Sequence, residues 1–490
     1  MNSILPSCRR LHSKVLWVIG LVTFLGLAEL PTVQGQTRPN VLLILTDDHG
    51  ALDAGCYGSD DLKTPNIDRV AREGVRFTNA FAHTVCCPAR AMLMTGRHPQ
   101  RGDVGSWTQG GNSPQPTGRN LLLSETTIAE AFQRAGYATA LFGKWHLGGA
   151  QTHGPSRQGF DEFFGIRGGF IDNYNHYGLH GKGHHDLFEK TTEVWREGEY
   201  FMDMVTDRSI EFVRSHQAEP FFLYYPMNLP HYPEQSIEPY ASDFADLDPA
   251  RQSYARILAS TDHYIGRMLD ALDELKLANN TIVVIAGDNG YSSEDYQITV
   301  DGHASGHPKG FNYGPNAGGG NTGKWRGSKG SFLEGGLRVP MLVRYPGTIP
   351  AGEVRDQTIT LMDWFPTVAG YAGVDTSEIE FDGQDLRPVI AKDAASNHYE
   401  TMHWHWQNSW TVRQGDWKLI VNGTTGLNGG GKNRIDNTLP AVFLGNLSDD
   451  APEQVNHADS RPEIVAKFTA MHAQWASDVA PPPAEAWQEK

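Results

Sequence analysis

Cysteine is scarce in this chain, with four among 490 residues. Cys8 belongs to an N-terminal leader, which leaves Cys56, Cys86 and Cys87, too few for a disulfide scaffold. Cys86 and Cys87 are adjacent and poor partners for each other, so keeping them calls for a chemical reason. Positive charge is also short: 41 Lys and Arg face 57 Asp and Glu, a net charge of −16. That balance argues against nucleic acid as a partner, because phosphate binding needs a basic footprint. It also repels polyanions at long range, so an anionic substrate must be captured by a local cluster of Arg, Lys, His and metal. Internal repeats and extended low-complexity tracts are absent, and no segment after the leader looks transmembrane. In the leader, Arg9, Arg10 and Lys14 precede an apolar run from Val15 to Ala28, shorter than the roughly 20 residues of a spanning helix. Small residues follow near Gly35. Residues 1–35 therefore read as a secretory signal, implying a secreted or periplasmic protein, free of the membrane once cleaved.

What is present is enough apolar sequence, 39% of residues, for a substantial core. Asn40 to Thr46 is a continuous apolar run of the kind buried on both faces of a parallel sheet, and it ends in Asp47-Asp48-His49-Gly50. Thr281 to Gly287 repeats the pattern and ends in Asp288-Asn289-Gly290. Two buried strands thus deliver acid or amide side chains at their carboxyl ends, where open α/β sheets place their sites. Helices are predicted over Ile128 to Ala135 and Ser253 to Leu275. Further strands are predicted at Thr139 to Phe142, Phe221 to Tyr225 and Pro340 to Arg344. The alternation predicts an α/β fold, a large mostly parallel sheet with helices on both faces, over residues 36–370. A smaller α+β domain is expected over 371–480, with a hairpin around Thr411 to Val421, a helix over Arg461 to Val479 and a mobile tail, 481–490. The glycine-rich stretch between Asp301 and Gly336 is long enough to read as a functional loop.

Pro88 fits the first turn of a helix, which places Cys86 just ahead of the helix start, where unpaired amides and the dipole favour an anion. A thiolate nucleophile is one inference. The phosphatase loop, however, places its arginine where this chain has Met92, counted from Cys86, or Leu93, counted from Cys87. Asp47, Asp48, Asp288 and Asn289 offer only oxygen ligands, which select calcium or magnesium over zinc.

From Cys86 to Arg97 the chain satisfies C-x-P-S/A-R-x-x-x-L/M-T-G-R. This segment resembles the signature of the formylglycine-dependent sulfatases, or arylsulfatases, of the alkaline phosphatase superfamily. Gly143-Lys144-Trp145-His146, Pro230-His231-Tyr232-Pro233 and Lys329 within Arg326 to Pro340 match further family segments in the family's order. The resemblance implies that Cys86 is oxidised by a formylglycine-generating maturation enzyme to an aldehyde, which hydrates to a diol. It also implies that Asp47, Asp48, Asp288 and Asn289, with an oxygen of the modified residue 86 or of the sulfate completing the sphere, hold one divalent cation, Ca2+ ahead of Mg2+. By the same resemblance Arg90, Lys144 and Lys329 neutralise the sulfate and Asp288 accepts the nucleophile's proton. His231, with Lys329, protonates the departing alcohol, and His146 helps expel sulfate. The substrate would be a sulfated small molecule or glycan. Lys324 competes with Lys329, which is preferred because it precedes Gly330 and the Glu334-Gly335-Gly336 turn. Trp107, His303, His307 and His403-Trp404-His405-Trp406 are either substrate contacts or packing residues. A formylglycine phosphodiesterase or phosphonate monoester hydrolase, and a non-catalytic binder of sulfated glycans, remain alternative readings.

Overall fold

The computed structural model describes residues 38–108, 119–314, 318–393, 395–396, 399–427, 437–449 and 451–481. The expected leader, and all of the tail but Pro481, lie outside them.

Asn40–Thr46 forms a strand with every residue buried, as the unbroken apolar run requires. It pairs in parallel with Phe221–Pro226 on one side and Thr281–Gly287 on the other. These are the middle of a ten-stranded sheet. Its central order is Thr281–Gly287, Asn40–Thr46, Phe221–Pro226, Ala138–Lys144 and Glu162–Ile166, all parallel. The edges depart from this. Met341–Arg344 pairs antiparallel with Thr281–Gly287, and Phe188–Glu189 antiparallel with Glu162–Ile166. The sheet is therefore mixed, parallel at its centre.

Successive side chains of one strand feed two cores. Val41, Leu43 and Leu45 pack with Met92, Ile128 and Trp364, from the helices Cys86–Thr95, Ile128–Arg134 and Trp364–Ala372. Leu42 and Ile44 pack with Ile67, Val205 and Ile265, from Pro65–Glu73, Phe201–Ser215 and Pro249–Glu274. No helix among the described residues is long and apolar enough to cross a membrane.

The C-terminal part extends the predicted hairpin to a four-stranded antiparallel sheet of Thr401–Trp406, Ser409–Gln414, Trp417–Val421 and Val442–Asn446. The helix Pro462–Asp478 packs on it through Phe468, against Val412, Leu419 and Leu444. A buried ion cluster joins this sheet to the main body. Lys418 lies 2.8 Å from Glu334 and 3.0 Å from Glu453. Arg338 and Arg413 also reach Glu334, at 2.5 and 3.4 Å. Burial alone would raise the Glu334 pKa, but Lys418, Arg338 and Arg413 hold it well below the usual carboxylate range. Nearby, the Ser328 N–H donates to the Thr425 carbonyl at 3.1 Å and the Leu427 N–H to the Lys329 carbonyl at 2.8 Å. The antiparallel sheet thus braces the loop that carries Lys329.

Removing the cation at the centre of this cluster leaves two buried acids short of a partner. Lys418→Met is expected to destabilise the protein by about 3–5 kcal/mol, read as a lower denaturant midpoint; an unchanged midpoint contradicts the bracing role.

Candidate active site

The site is assembled from the carboxyl ends of adjacent strands. Thr46 lies opposite Gly287 in the parallel register, so Asp47-Asp48 and Asp288-Asn289 emerge side by side. Lys144 ends the strand Ala138–Lys144, with His146 two residues on, and His231 follows the strand Phe221–Pro226. Lys329 comes from the loop ahead of the short helix Glu334–Leu337. Cys86 is the first residue of its helix, with Val85 as the cap and Pro88 third. It therefore sits inside the first turn rather than ahead of it, still among amides that lack helical partners. All of the residues expected at the site are brought together and buried. Lys324 is not among them; it lies exposed over the ring of Trp325.

Asp47 Oδ2 contacts the Lys144 amine and lies 3.4 Å from the Arg90 guanidinium. Arg90 donates to Asp288 Oδ2 and to the Lys144 carbonyl, both at 2.9 Å. Lys329 donates to Asp48 Oδ2 at 2.9 Å, shares a hydrogen bond with His231 Nε2 at 3.0 Å and lies 3.4 Å from Glu294 Oε2. Asp48 turns with φ of +62°, uncommon for a residue other than glycine but tolerated by aspartate, and its N–H donates to Asp288 Oδ1 at 3.1 Å.

The donor set fits a divalent cation. Asp47, Asp48, Cys86 and His231 each offer a ligand atom within 4.8 Å of the others. Asp47 Oδ1 and Asn289 Oδ1 are buried with no hydrogen-bond partner, which a structure avoids unless something binds there. Burial pushes Asp48 up to about 7 against the pull of Lys329, with Asp47, Asp288 and Glu294 adding repulsion. Burial and Asp47 push Asp288 up to about 6 despite Arg90 and Lys144. Burial acts the same way on Asp47, but Lys144, His231, Arg90 and Lys329 outweigh it and hold that carboxyl well below the usual range. Crowded carboxylates with spare oxygens are the hard donors calcium and magnesium take.

Cys86 is not an activated thiolate. Burial pushes its thiol far up, and Lys144 and Lys329 do not bring it back. The helix terminus that suggested a reactive thiolate is overridden by the dry, acid-rich surroundings. Both histidines are held far below 6.5, by burial first and then by Lys329 at His231 and Lys144 at His146. The 2.6 Å contact between His231 Nδ1 and the Tyr232 carbonyl assigns the proton to Nδ1, leaving Nε2 to accept from Lys329. His146 stands at φ +56°, its carbonyl accepts from Thr108 at 2.6 Å, and its Nδ1 is buried without a partner.

Above Cys86 opens a cavity of about 380 Å³, lined in part by His146, His231, Lys329, Trp107, Phe170 and Glu294. Sequence reasoning missed Phe170, which stacks on His231 at 5.2 Å, and Glu294. For Glu294 the one available signal was its place six residues past Asp288. Of the candidate contacts, Trp107 lines the cavity. Trp404 and Trp406 are core residues, His403 stacks on Trp475, and His405 is turned to Gln407. His307 pairs with Asp172 at 3.0 Å and His303 bonds Ser305 at 2.7 Å, so neither is spent on the cavity.

A family model described as Sulfatase matches residues 39–374. The N-acetylgalactosamine-6-sulfatase of Sus scrofa is 32% identical over 434 residues, covering 81% of this chain and 77% of that one. Arylsulfatase J of Mus musculus is 29% identical over 493 residues, covering 91% and 77%. Among solved structures, Ps i-CgsB in complex with k-i-k-neocarrahexaose superposes with a TM-score of 0.73 at 25% identity, covering 93% of this chain and 95% of that one. The matched segment takes in both acidic strand ends, the Cys86 helix and every basic residue around them, and so the chain belongs to the sulfatase family and is a sulfuric ester hydrolase.

Proposed function

We propose that this enzyme cleaves the sulfate monoester of a sulfated carbohydrate, using residue 86 as formylglycine beside a calcium ion held by Asp47, Asp48, Asp288 and Asn289. The observation that carries the reading is the setting of Cys86. It lies at the foot of the cavity, among buried lysines and the unpartnered oxygens of Asp47 and Asn289, with its own thiol held protonated. A side chain so placed is of little use as a sulfur nucleophile and well placed as the precursor of another one. The N-acetylgalactosamine-6-sulfatase and the structure holding k-i-k-neocarrahexaose support a carbohydrate as the sulfated alcohol. The secretory reading of residues 1–35 suits such a substrate.

When bound, the calcium ion supplies positive charge to the ester, and the hydrated aldehyde supplies one hydroxyl for attack and a second for release. The chain's own residues do the rest. Arg90 and Lys144 fix Asp47 and Asp288 and offset their charge, so that the site can accept an anion despite the net charge of the chain. Asp288 takes the proton from the attacking group. Lys329 and His231 form a pair at 3.0 Å: the ammonium donates to Nε2, which orients it, and the ammonium is the proton source for the departing alcohol oxygen. Phe170 fixes the plane of the His231 ring. His146 Nδ1, neutral and unpartnered, is free to take up a proton as sulfate leaves.

Three outcomes are expected. Cys86→Ser loses turnover of 4-nitrophenyl sulfate while Cys87→Ser keeps it, and the mass of the peptide carrying residue 86 shows the aldehyde in place of the thiol; equal loss in both variants rules out the assignment. His231→Ala lowers kcat/KM for a sugar sulfate about 10²–10⁴-fold and for 4-nitrophenyl sulfate less, since nitrophenolate departs without a proton; equal losses on both esters contradict the leaving-group role. The third concerns pH. Asp48 and Asp288 have raised folded pKa values, about 7 and about 6, so their contribution to the stability of metal-free protein is lost as pH rises through that window. Calcium binds the ionised carboxylates, and its addition to chelated protein is expected to raise the melting midpoint more at pH 8 than at pH 5. An equal rise at both pH values counts against these ligands.

A further inference from the structure

The cavity above Cys86 differs in character from the cluster beneath it. Lys329 is the single lysine or arginine among the described residues that line it, and that amine is already committed to Asp48 and His231. Two acids, Glu294 and Asp186, line the same space. Asp186 is turned to the backbone, accepting from the N–H groups of Arg167 and Gly168 at 3.0 and 2.7 Å. Glu294 is only 3% exposed and is held in place. Its Oε2 accepts from the Ser292 hydroxyl at 2.9 Å and lies 3.4 Å from Lys329, its own N–H donates to Ser292 Oγ at 3.2 Å, and the Tyr296 hydroxyl donates to it. A carboxylate has about four acceptor positions, so these partners orient Glu294 and leave room for a further donor. Aromatic faces complete the walls: Trp107, Phe170, Tyr232 and Tyr296, the last stacked on Tyr313 at 6° between ring planes.

We propose that this cavity is a subsite for the uncharged, hydroxyl-bearing ring of a monosulfated sugar, in which Glu294 accepts a ring hydroxyl and turns away rings that carry a second sulfate. The inference rests on the sulfatase reading above and narrows its substrate class. A sugar ring has apolar faces for the aromatic walls and hydroxyl donors for a fixed carboxylate. A second sulfate has neither, and it would be desolvated beside Glu294 with no uncommitted lysine or arginine, among the described residues that line the cavity, to receive it. Specificity then comes from repulsion as well as attraction.

The test measures kcat/KM on a panel of hexose and hexosamine monosulfates and on the same sugars bearing a second sulfate, with 4-nitrophenyl sulfate as an ester that lacks ring hydroxyls. The best monosulfate is expected to exceed each of its disulfated derivatives by about tenfold or more in the wild-type enzyme. Glu294→Gln is expected to narrow that ratio by about threefold or more, mainly through a lower KM for the disulfated sugars. A disulfated sugar cleaved as well as its monosulfated parent overturns the subsite on the wild-type data alone, and so does an unchanged ratio in a folded E294Q enzyme. Turnover of 4-nitrophenyl sulfate but of no sugar monosulfate also overturns the subsite while leaving the sulfatase reading intact. Failure to cleave any of these esters overturns the sulfatase reading and the subsite with it.

Discussion

The in-register parallel pairing of Asn40–Thr46 with Thr281–Gly287 is the constraint on which the rest depends. Both strands are buried throughout, so neither can slip by a residue without moving its apolar side chains between the two cores. Their carboxyl ends are therefore fixed at one level. Three aspartates and an asparagine are forced into a volume from which water is largely excluded. The backbone relieves that crowding at one oxygen, through the Asp48 N–H on Asp288 Oδ1, and the surrounding elements answer to the rest.

The answer is a ring of cations drawn from separate parts of the chain. Arg90 comes from the Cys86 helix, Lys144 from a neighbouring strand end and Lys329 from the loop braced by the C-terminal sheet. They do not neutralise the acids evenly: Asp47 is held ionised, while Asp48 and Asp288 are pushed up by burial and by Asp47. An arrangement left incomplete in this way accepts a divalent ion where the oxygens of Asp47 and Asn289 are unsatisfied and an anion where Lys329 faces the cavity. The Glu334 and Lys418 cluster works at one remove. It anchors the antiparallel sheet beside the Lys329 loop, so the C-terminal part shapes the site, and among the described residues it does so without supplying a charged group to the cavity.

Much of this was legible in the sequence, and the reason is local. Buried parallel strands leave unbroken apolar runs, and Asn40–Thr46 and Thr281–Gly287 begin and end where those runs do. The Cys86 to Arg97 segment is a contiguous motif and carried its own meaning. The edges of the sheet were less readable: Met341–Arg344 looks like any short buried strand, and its antiparallel direction depends on the path of the long loop before it. The cavity walls were not legible at all. Phe170, Glu294 and Tyr296 sit in segments without periodicity, and only tertiary packing sets them around His231 and Lys329. At His403 to Trp406 the sequence left substrate contact and packing both open, and the structure decides for packing. In the strand the histidines and tryptophans alternate, and the Trp404 indole is used to cap the Ala82 carbonyl at 2.8 Å. The partner of Glu334 could not be foreseen either, because Lys418 lies 84 residues away.

The central claim is that two strand ends form one cation site at the foot of the cavity. Calorimetric titration of calcium into chelated wild-type protein, and into Asp47→Asn and Asp288→Asn variants drawn from the two different strands, tests it most directly. The account predicts a single calcium ion bound per wild-type chain and marked weakening from either substitution. Undiminished binding in both variants, or none in the wild-type protein, would contradict it.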